Sequence, residues 1–132
     1  MRLGREWPAS ELTERILGAA IEVHRAMGPG LLESVYEECL AFELMETGLK
    51  VQRQVALPVR YKGRELGAGY RLDLVVEDTV LIEVKAVSHL ESIHEAQVLT
   101  YLRLTEKSVA LLINFNVPLL RDGVKRLVMT QS

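Results

Sequence analysis

The sequence has little cysteine and few aromatic residues, and it contains no long apolar run. Its single cysteine, Cys39, cannot form an internal disulfide, so stability has to come from packing, which is consistent with a reducing compartment. The longest uncharged apolar run, residues 109–115, is far shorter than the roughly 20 residues that cross a bilayer. The N-terminus is charged where a signal peptide would be apolar. We therefore expect a soluble, cytoplasmic protein that makes no membrane contact.

Net charge is also low. The 16 Lys and Arg residues nearly balance the 18 Asp and Glu residues, which gives a formal charge of −2. No global basic field marks a nucleic-acid-binding protein, so such a function has to be argued from local residues. The sequence also lacks zinc-type His/Cys spacing, a P-loop, a GxGxxG motif and a serine nucleophile elbow. These absences argue against a zinc site, a nucleotide-binding loop and serine hydrolase chemistry.

What the sequence does contain fits one compact domain. Its 132 residues are 48% hydrophobic, a length and composition typical of a single folded unit. No repeat or low-complexity linker divides the chain. We expect residues 1–9 to form a loose N-terminal segment and residues 10–132 to form one domain.

Hydrophobic periodicity predicts the order of the elements. Apolar residues recur at helical spacing in residues 10–27 and 32–47, which predicts two helices. We expect Phe42, Met45 and Cys39 on the buried stripe of the second helix. Strand patterns follow in residues 49–61, where apolar residues recur at every second position, and in residues 67–76 and 80–87. Pro58 indicates an edge or a bulge in the first of these strands. These three strands predict an antiparallel meander.

The second half of the chain returns to helix and then to strand. Ser88 and Glu91 form an S-x-x-E capping box before a helix whose predicted apolar stripe includes Ile93 and Leu104. Residues 108–115 are apolar on both faces, as in a buried central strand, and residues 124–129 predict a short final strand. The order favours a mixed α/β (α+β) sandwich, with a central sheet flanked by helices.

The hairpin around residues 77–79 places charged residues together. If those three residues form the loop, cross-strand partners sum to 156, so Asp73 lies opposite Glu83 and Arg71 opposite Lys85. Leu72 and Leu74 then point to the other, apolar face. Opposed carboxylates repel each other, but a divalent cation held by both removes that repulsion. The alternative is an ordinary exposed ion pair between Asp73 and Lys85.

Such a grouping has the outline of a phosphodiester hydrolysis site. Mg²⁺ takes one or two carboxylates and fills its other positions with water and substrate phosphate. Lys85 would reach the same place and orient or deprotonate the attacking water, or hold the phosphate. Arg71 belongs to a cluster of basic residues in the meander. These residues either contact phosphate or lie on a solvent-exposed strand face.

Several short motifs resemble those of the GxxExxY family, a branch of the PD-(D/E)XK nuclease superfamily. The resemblance extends over residues 10–129, and the order and spacing of the motifs make it specific. They are Gly30-Leu-Leu-Glu33-Ser-Val-Tyr36, Tyr70-Arg-Leu-Asp73, Glu83-Val-Lys85, His94-Glu-Ala-Gln97-Val-Leu-Thr-Tyr101, Leu112-Ile-Asn-Phe-Asn116 and Arg121-Asp-Gly123-Val-Lys-Arg126.

This resemblance implies a restriction-endonuclease-like core and assigns roles to acidic residues. It implies that Asp73 and Glu83 bind metal, that Lys85 is the catalytic lysine and that Glu33 adds an acid from the first-helix region. The backbone carbonyl of Val84 is a further candidate ligand. One departure is that a leucine, not a proline, precedes Asp73. The alternative for Glu33 is a first-turn acid favoured by the helix dipole.

The resemblance also suggests residues that contact substrate or support the ligands. Gln97 and Tyr101 match a Q-x-x-x-Y element, while Tyr36 and His94 lie within the quoted motifs. The alternatives are that Gln97 bonds a backbone group, that both tyrosines are core aromatics, and that His94 is a surface residue.

We therefore expect a Mg²⁺- or Mn²⁺-dependent nuclease, a phosphodiesterase acting on DNA. The first alternative is a nuclease-fold module that binds nucleic acid or a protein without cutting, and the second is a purely structural subunit. A chain this small presents a shallow surface to a duplex, which makes a homodimer geometrically reasonable.

Overall fold

The computed structural model describes residues 9–130, except for the side chain of Ala68. The predicted loose segment 1–9 therefore lies outside the described residues, apart from Ala9, which begins the first helix. The elements in chain order are α1 (Ala9–Met27), α2 (Glu33–Glu46), β1 (Val51–Tyr61), β2 (Arg64–Val76), β3 (Val80–Lys85), α3 (Ser92–Thr105), β4 (Val109–Asn114), a 3₁₀ turn (Leu120–Gly123) and β5 (Val124–Val128).

Within residues 9–130 the strands form one five-stranded mixed sheet in the order β1-β2-β3-β4-β5. The first three strands are an antiparallel meander, β4 is parallel to β3, and β5 is antiparallel to β4. Helix α3 makes the crossover that a parallel pair requires. β1 is an edge strand whose register shifts between Pro58 and Arg60, as the proline predicted. The predicted mixed α/β class is confirmed.

Helices cover both faces of the sheet because the strand residues alternate between two cores. Leu74 and Ile82 point to the face covered by α1 and α2, and Leu111 joins them there. Val75 and Leu81 point to the opposite face, which α3 covers. Among residues 9–130, no helix combines the length and the apolar character that a membrane span needs.

The buried stripe of α2 differs from the predicted one. Tyr36, Leu40 and Leu44 are buried, whereas Phe42 is 61% exposed and Met45 is also exposed. The helix carries apolar residues all around its surface, so periodicity alone does not determine which side meets the sheet. Cys39, predicted in the core, is only partly buried against it.

The start of α3 also differs from the prediction. Ser88 does not cap the helix, because the helix begins at Ser92, with Glu91 as its N-cap and His94 as the reciprocal partner of the capping box. The predicted apolar stripe is not the buried one either: Ile93 is 66% exposed and Leu104 is exposed. Helix α3 packs on the sheet chiefly through Val98, Tyr101 and Leu102, of which only Tyr101 belongs to the predicted stripe.

Candidate active site

Strands β2 and β3 stop pairing where their acidic residues begin. Ladder pairs run from Val76–Val80 to Leu74–Ile82, all summing to 156, so the predicted hairpin register is correct. At the next position, hydrogen bonds from backbone N–H groups to carboxylate side chains replace the backbone ladder. The Asp73 N–H donates to Oε1 of Glu83 (3.3 Å), and the Val84 N–H donates to Oδ2 of Asp73 (2.8 Å). The two carboxylates therefore lie together where the strands part.

The orientation of β2 changes at this same place. Leu72 packs in the cluster on the α3 face, whereas Leu74 packs on the α1 and α2 face. The expectation that both leucines share one apolar face is therefore wrong. Strict alternation requires a regular ladder, and the ladder is interrupted at Asp73.

The acid pair carries more negative charge than its protein surroundings compensate. Burial is the main cause that raises the pKa of Asp73 to about 6, and repulsion from Glu37 adds to it. Burial also raises the pKa of Glu83 to about 8, with Asp73 as the next contributor. Lys85 offsets part of both shifts, and its Nζ lies 3.9 Å from Oε2 of Glu83. A further cation would relieve the remaining repulsion.

Helix α2 brings two glutamates to the acid pair. Oε2 of Glu33 accepts a hydrogen bond from the Ala86 N–H (3.2 Å), just beyond the end of β3, and its charge contributes to the raised pKa of Glu83. Glu37, one helical turn later, is buried and faces Asp73. Sequence reasoning missed Glu37, although its spacing of four from Glu33 places both on one helix face.

Gln54 connects Glu37 to Asp73. Its amide nitrogen donates to Oε1 of Glu37 (2.7 Å) and to Oδ1 of Asp73 (3.4 Å). The backbone of Gln54 has a φ of 51°, which is unusual for a non-glycine residue in a strand. Arg71 pairs with Ala56 of β1 and donates to the Gln54 carbonyl (3.2 Å). Its predicted pairing with Lys85 is wrong, because the ladder between β2 and β3 ends at Leu74 and Ile82. Nothing in the sequence indicated the backbone conformation of Gln54.

The backbone that follows Lys85 is fixed by the end of β4. The Phe115 N–H donates to the Lys85 carbonyl (2.9 Å). Asn114, fully buried, accepts from the Val87 N–H (3.0 Å) and donates to the Val87 carbonyl (2.9 Å). The apolar run around Asn114 indicated a buried strand and did not suggest this positioning contact.

Tyr36 lies in the core and does not face the acids. Its ring stacks on Phe115 at 4.6 Å between centroids, and it is fully buried. Its hydroxyl donates to the Gly28 carbonyl and accepts from the Leu31 N–H. The prediction that Tyr36 contacts substrate is wrong, because both its ring and its hydroxyl are occupied. Instead it holds the loop that leads into α2.

The other predicted polar residues lie on α3, next to the acid pair. Burial raises the pKa of Tyr101 to about 12, with the charge of Glu83 as the next cause. The Tyr101 ring is buried in the core cluster that contains Leu72, the residue before Asp73. Gln97 and His94 line a cleft with Tyr101. The Gln97 amide has no hydrogen-bond partner among residues 9–130, and Nδ1 of His94 accepts from the Glu91 N–H (2.9 Å).

The donor set suits a hard cation with few protein ligands. No three His, Cys, Asp or Glu side chains within residues 9–130 form a ready ligand cluster, so Glu33 does not join Asp73 and Glu83 in one compact group. Two carboxylates suffice for Mg²⁺ or Mn²⁺, which take oxygen ligands and keep several waters. Zinc would require a fuller set of nitrogen or sulfur ligands.

Comparison with known protein families gives a match over most of the chain. A family model that describes the PD-(D/E)XK nuclease superfamily matches residues 10–127, which includes every element from α1 to most of β5. No curated protein matches the chain.

Proposed function

Because the chain belongs to the PD-(D/E)XK nuclease superfamily, we propose that it is a Mg²⁺- or Mn²⁺-dependent nuclease of the GxxExxY type that hydrolyses phosphodiester bonds in DNA. One observation carries the proposal. Asp73 and Glu83 are buried side by side where β2 and β3 separate, with Lys85 next to them. A purely structural sheet gains nothing from such a pair, since like charges at this spacing are destabilising.

Asp73 and Glu83 would hold the metal ion. The Val84 N–H points at Asp73, and in an extended strand the carbonyl of a residue points to the same edge as its N–H, so the Val84 carbonyl is the third candidate ligand. Glu33 adds negative charge from α2 on the Glu83 side. When bound, a Mg²⁺ or Mn²⁺ ion lowers the pKa of coordinated water and neutralises charge that develops on a phosphoryl oxygen.

Lys85 is the residue proposed to serve the attacking water or the scissile phosphate. Its ammonium group is mostly buried and lies beside Glu83, and the Phe115 bond to its carbonyl fixes the backbone from which it projects. An ammonium in this place donates to a phosphate oxygen or a water oxygen without rearrangement of β3. Gln54 and Glu37 restrict Asp73 from the opposite side.

The test is a cleavage assay on purified protein with Mg²⁺ or Mn²⁺. End-labelled single-stranded DNA, duplex DNA and RNA are incubated with wild type and with Asp73→Asn, and chelation by EDTA is the metal control. Asp78→Asn makes the same chemical change at the exposed turn of the same hairpin and is the matched control.

We expect metal-dependent cleavage by wild type and by Asp78→Asn, and none by Asp73→Asn, whose cooperative thermal unfolding would show that it is folded. Cleavage that is equal in wild type and Asp73→Asn would identify a contaminating enzyme. Nucleic-acid binding without any metal-dependent cleavage would favour the non-catalytic module.

A further inference from the structure

Helix α3 carries apolar and polar side chains on a stripe beside the one that packs on the sheet. Its core contacts run through Val98, Tyr101 and Leu102, whereas Ile93 is 66% exposed on the neighbouring stripe. That stripe forms one wall of a cleft of about 440 Å³, within the range of roughly 300–1,000 Å³ typical of small-ligand sites. Its residues on α3 are Ile93, His94, Ala96, Gln97, Thr100 and Tyr101.

The opposite wall of the cleft is aromatic. Tyr70 of β2 lies against Tyr101, with ring centroids 5.3 Å apart and an interplanar angle of 59°. Tyr70 is nevertheless 41% exposed, so part of its ring is free. A flat ligand in the cleft would meet the aromatic ring of Tyr70 and the aliphatic side chain of Ile93.

Polar groups without protein partners lie at the base of the cleft. The Gln97 amide, which offers both a donor and an acceptor, has no hydrogen-bond partner in the part of the chain that the structure describes. Nδ1 of His94 accepts the Glu91 N–H, so the proton of the neutral ring is on Nε2, a free donor. Apolar walls with a few unsatisfied donors and acceptors are the chemistry that recognises a nucleobase.

The cleft adjoins the acid pair. Tyr70 lines the cleft three residues before Asp73 on the same strand, β2. Tyr101, which also lines the cleft, packs in the same core cluster as Leu72, the residue next to Asp73. Three residues of an extended strand span about 10 Å, which suits a nucleotide whose base occupies the cleft and whose phosphate reaches the acids.

We propose that this cleft binds one unpaired nucleobase beside the cleaved phosphate, which makes single-stranded DNA the preferred substrate of the nuclease. A base inside a duplex is stacked and paired and cannot enter the cleft without being extruded. The proposal rests on the proposed function, because it places the base next to the phosphate that the nuclease would cleave. Binding of the base can be measured separately from cleavage.

The test measures binding without cleavage. A fluorescein-labelled 16-nucleotide single strand and the corresponding duplex are titrated with protein in EDTA, and the fluorescence anisotropy gives the dissociation constants. Tyr70→Ala and Ile93→Ala remove the two walls, while Tyr70→Phe keeps the ring. Tyr61→Ala is the matched control, since Tyr61 is another exposed tyrosine of the same hairpin, at the end of β1 and outside the cleft.

We expect Tyr70→Ala to weaken single-strand binding about tenfold or more, as the loss of one base–aromatic stack does. Tyr70→Phe and Tyr61→Ala stay within about twofold of wild type, and duplex binding changes little in every variant. Wild-type binding to single strands by Tyr70→Ala and Ile93→Ala would overturn the proposal, as would equal losses on single strand and duplex.

An abasic scan tests the same contact from the side of the ligand. A single abasic nucleotide is moved along the strand, and wild type should show a loss of affinity that Tyr70→Ala no longer shows. Failure of wild type to bind single strands overturns the cleft proposal. Tyr70-dependent binding with no metal-dependent cleavage retains it and overturns the proposed nuclease instead.

Discussion

The backbone N–H of Asp73 donates a hydrogen bond to the carboxylate of Glu83 at 3.3 Å, across two strands whose ladder ends one pair earlier. The bond replaces a backbone acceptor with a charged one. Because the Val84 N–H makes the reciprocal bond to Asp73, the opening between the strands is held by the two acids themselves. A change in the charge of either acid therefore acts on both the local fold and the chemistry.

The first prediction concerns metal and stability. Mg²⁺ or Mn²⁺ should raise the midpoint of thermal unfolding of wild type, because an ion that binds only the folded state stabilises it by mass action. Asp73→Asn and Glu83→Gln should each remove most of this increase, and Asp78→Asn should keep it. Differential scanning fluorimetry across a metal titration measures the effect. An undiminished increase in Glu83→Gln would separate metal binding from the acid pair.

The second prediction concerns pH in the absence of metal. The pKa values of Asp73 and Glu83, about 6 and about 8 in the folded protein, exceed those of unfolded carboxyl groups, roughly 3.9 and 4.3. The folded state therefore binds more protons, so the stability that these groups contribute is fully present below about pH 4 and is lost as pH rises from there through the folded pKa values of about 6 and about 8.

Urea unfolding in EDTA between pH 5.5 and pH 9 measures this dependence. The free energy of unfolding should fall with pH more steeply for wild type than for Glu83→Gln, in which that group no longer titrates. Asp78→Asn should follow wild type. Parallel curves for wild type and Glu83→Gln would show that the Glu83 carboxylate is already ionised across the range.

The part of this site that the sequence could predict follows from strand geometry. Turn residues 77–79 set the register of the hairpin, and the register alone brings Asp73 to Glu83 and places Lys85 on the same side. Pro58 likewise predicted the irregular edge of β1. These inferences depend on the two-residue period of a β-strand and on a short loop, and both are local features of the sequence.

Other features depend on tertiary contacts, which the periodicity of the sequence does not reveal. Gln54 reaches Asp73 only through a left-handed backbone conformation inside a strand. Phe42 was assigned to the wrong face because α2 has two apolar sides. Most of the predicted stripe that includes Ile93 lines a cleft, and amphipathicity does not distinguish a core from a binding surface.

The third prediction tests Glu37 as a positioning residue. Glu37→Ala should lower the cleavage rate about tenfold or more, since Gln54 loses its stronger acceptor and no longer restricts Asp73. Glu37→Gln retains an acceptor and should restore part of the rate. Glu38→Ala, the next residue along and exposed, is the control. A cleavage rate of Glu37→Ala equal to that of wild type would show that Glu37 does not position Asp73.

The fourth prediction concerns Asn114. Asn114→Ala leaves the Val87 N–H without its acceptor and removes the shorter of two contacts to the Val87 carbonyl, and should lower the free energy of unfolding by about 1–3 kcal/mol. Asn116→Ala removes one long contact to Val87 (3.4 Å) and should cost less. Urea unfolding at neutral pH compares them. Equal losses would indicate that Asn114 contributes nothing specific to the segment after Lys85.

Single-turnover cleavage by Lys85→Ala, with Mn²⁺ binding followed in the same sample by thermal unfolding, tests the central claim most directly. Lys62→Ala, at the exposed β1–β2 turn, is the matched control. We expect Lys85→Ala to keep the stabilisation by Mn²⁺ but to cleave at least about 100-fold more slowly, the usual loss when a proton-transfer or charge-stabilising group is removed. Cleavage by Lys85→Ala at the rate of wild type and Lys62→Ala would contradict the assignment of this site.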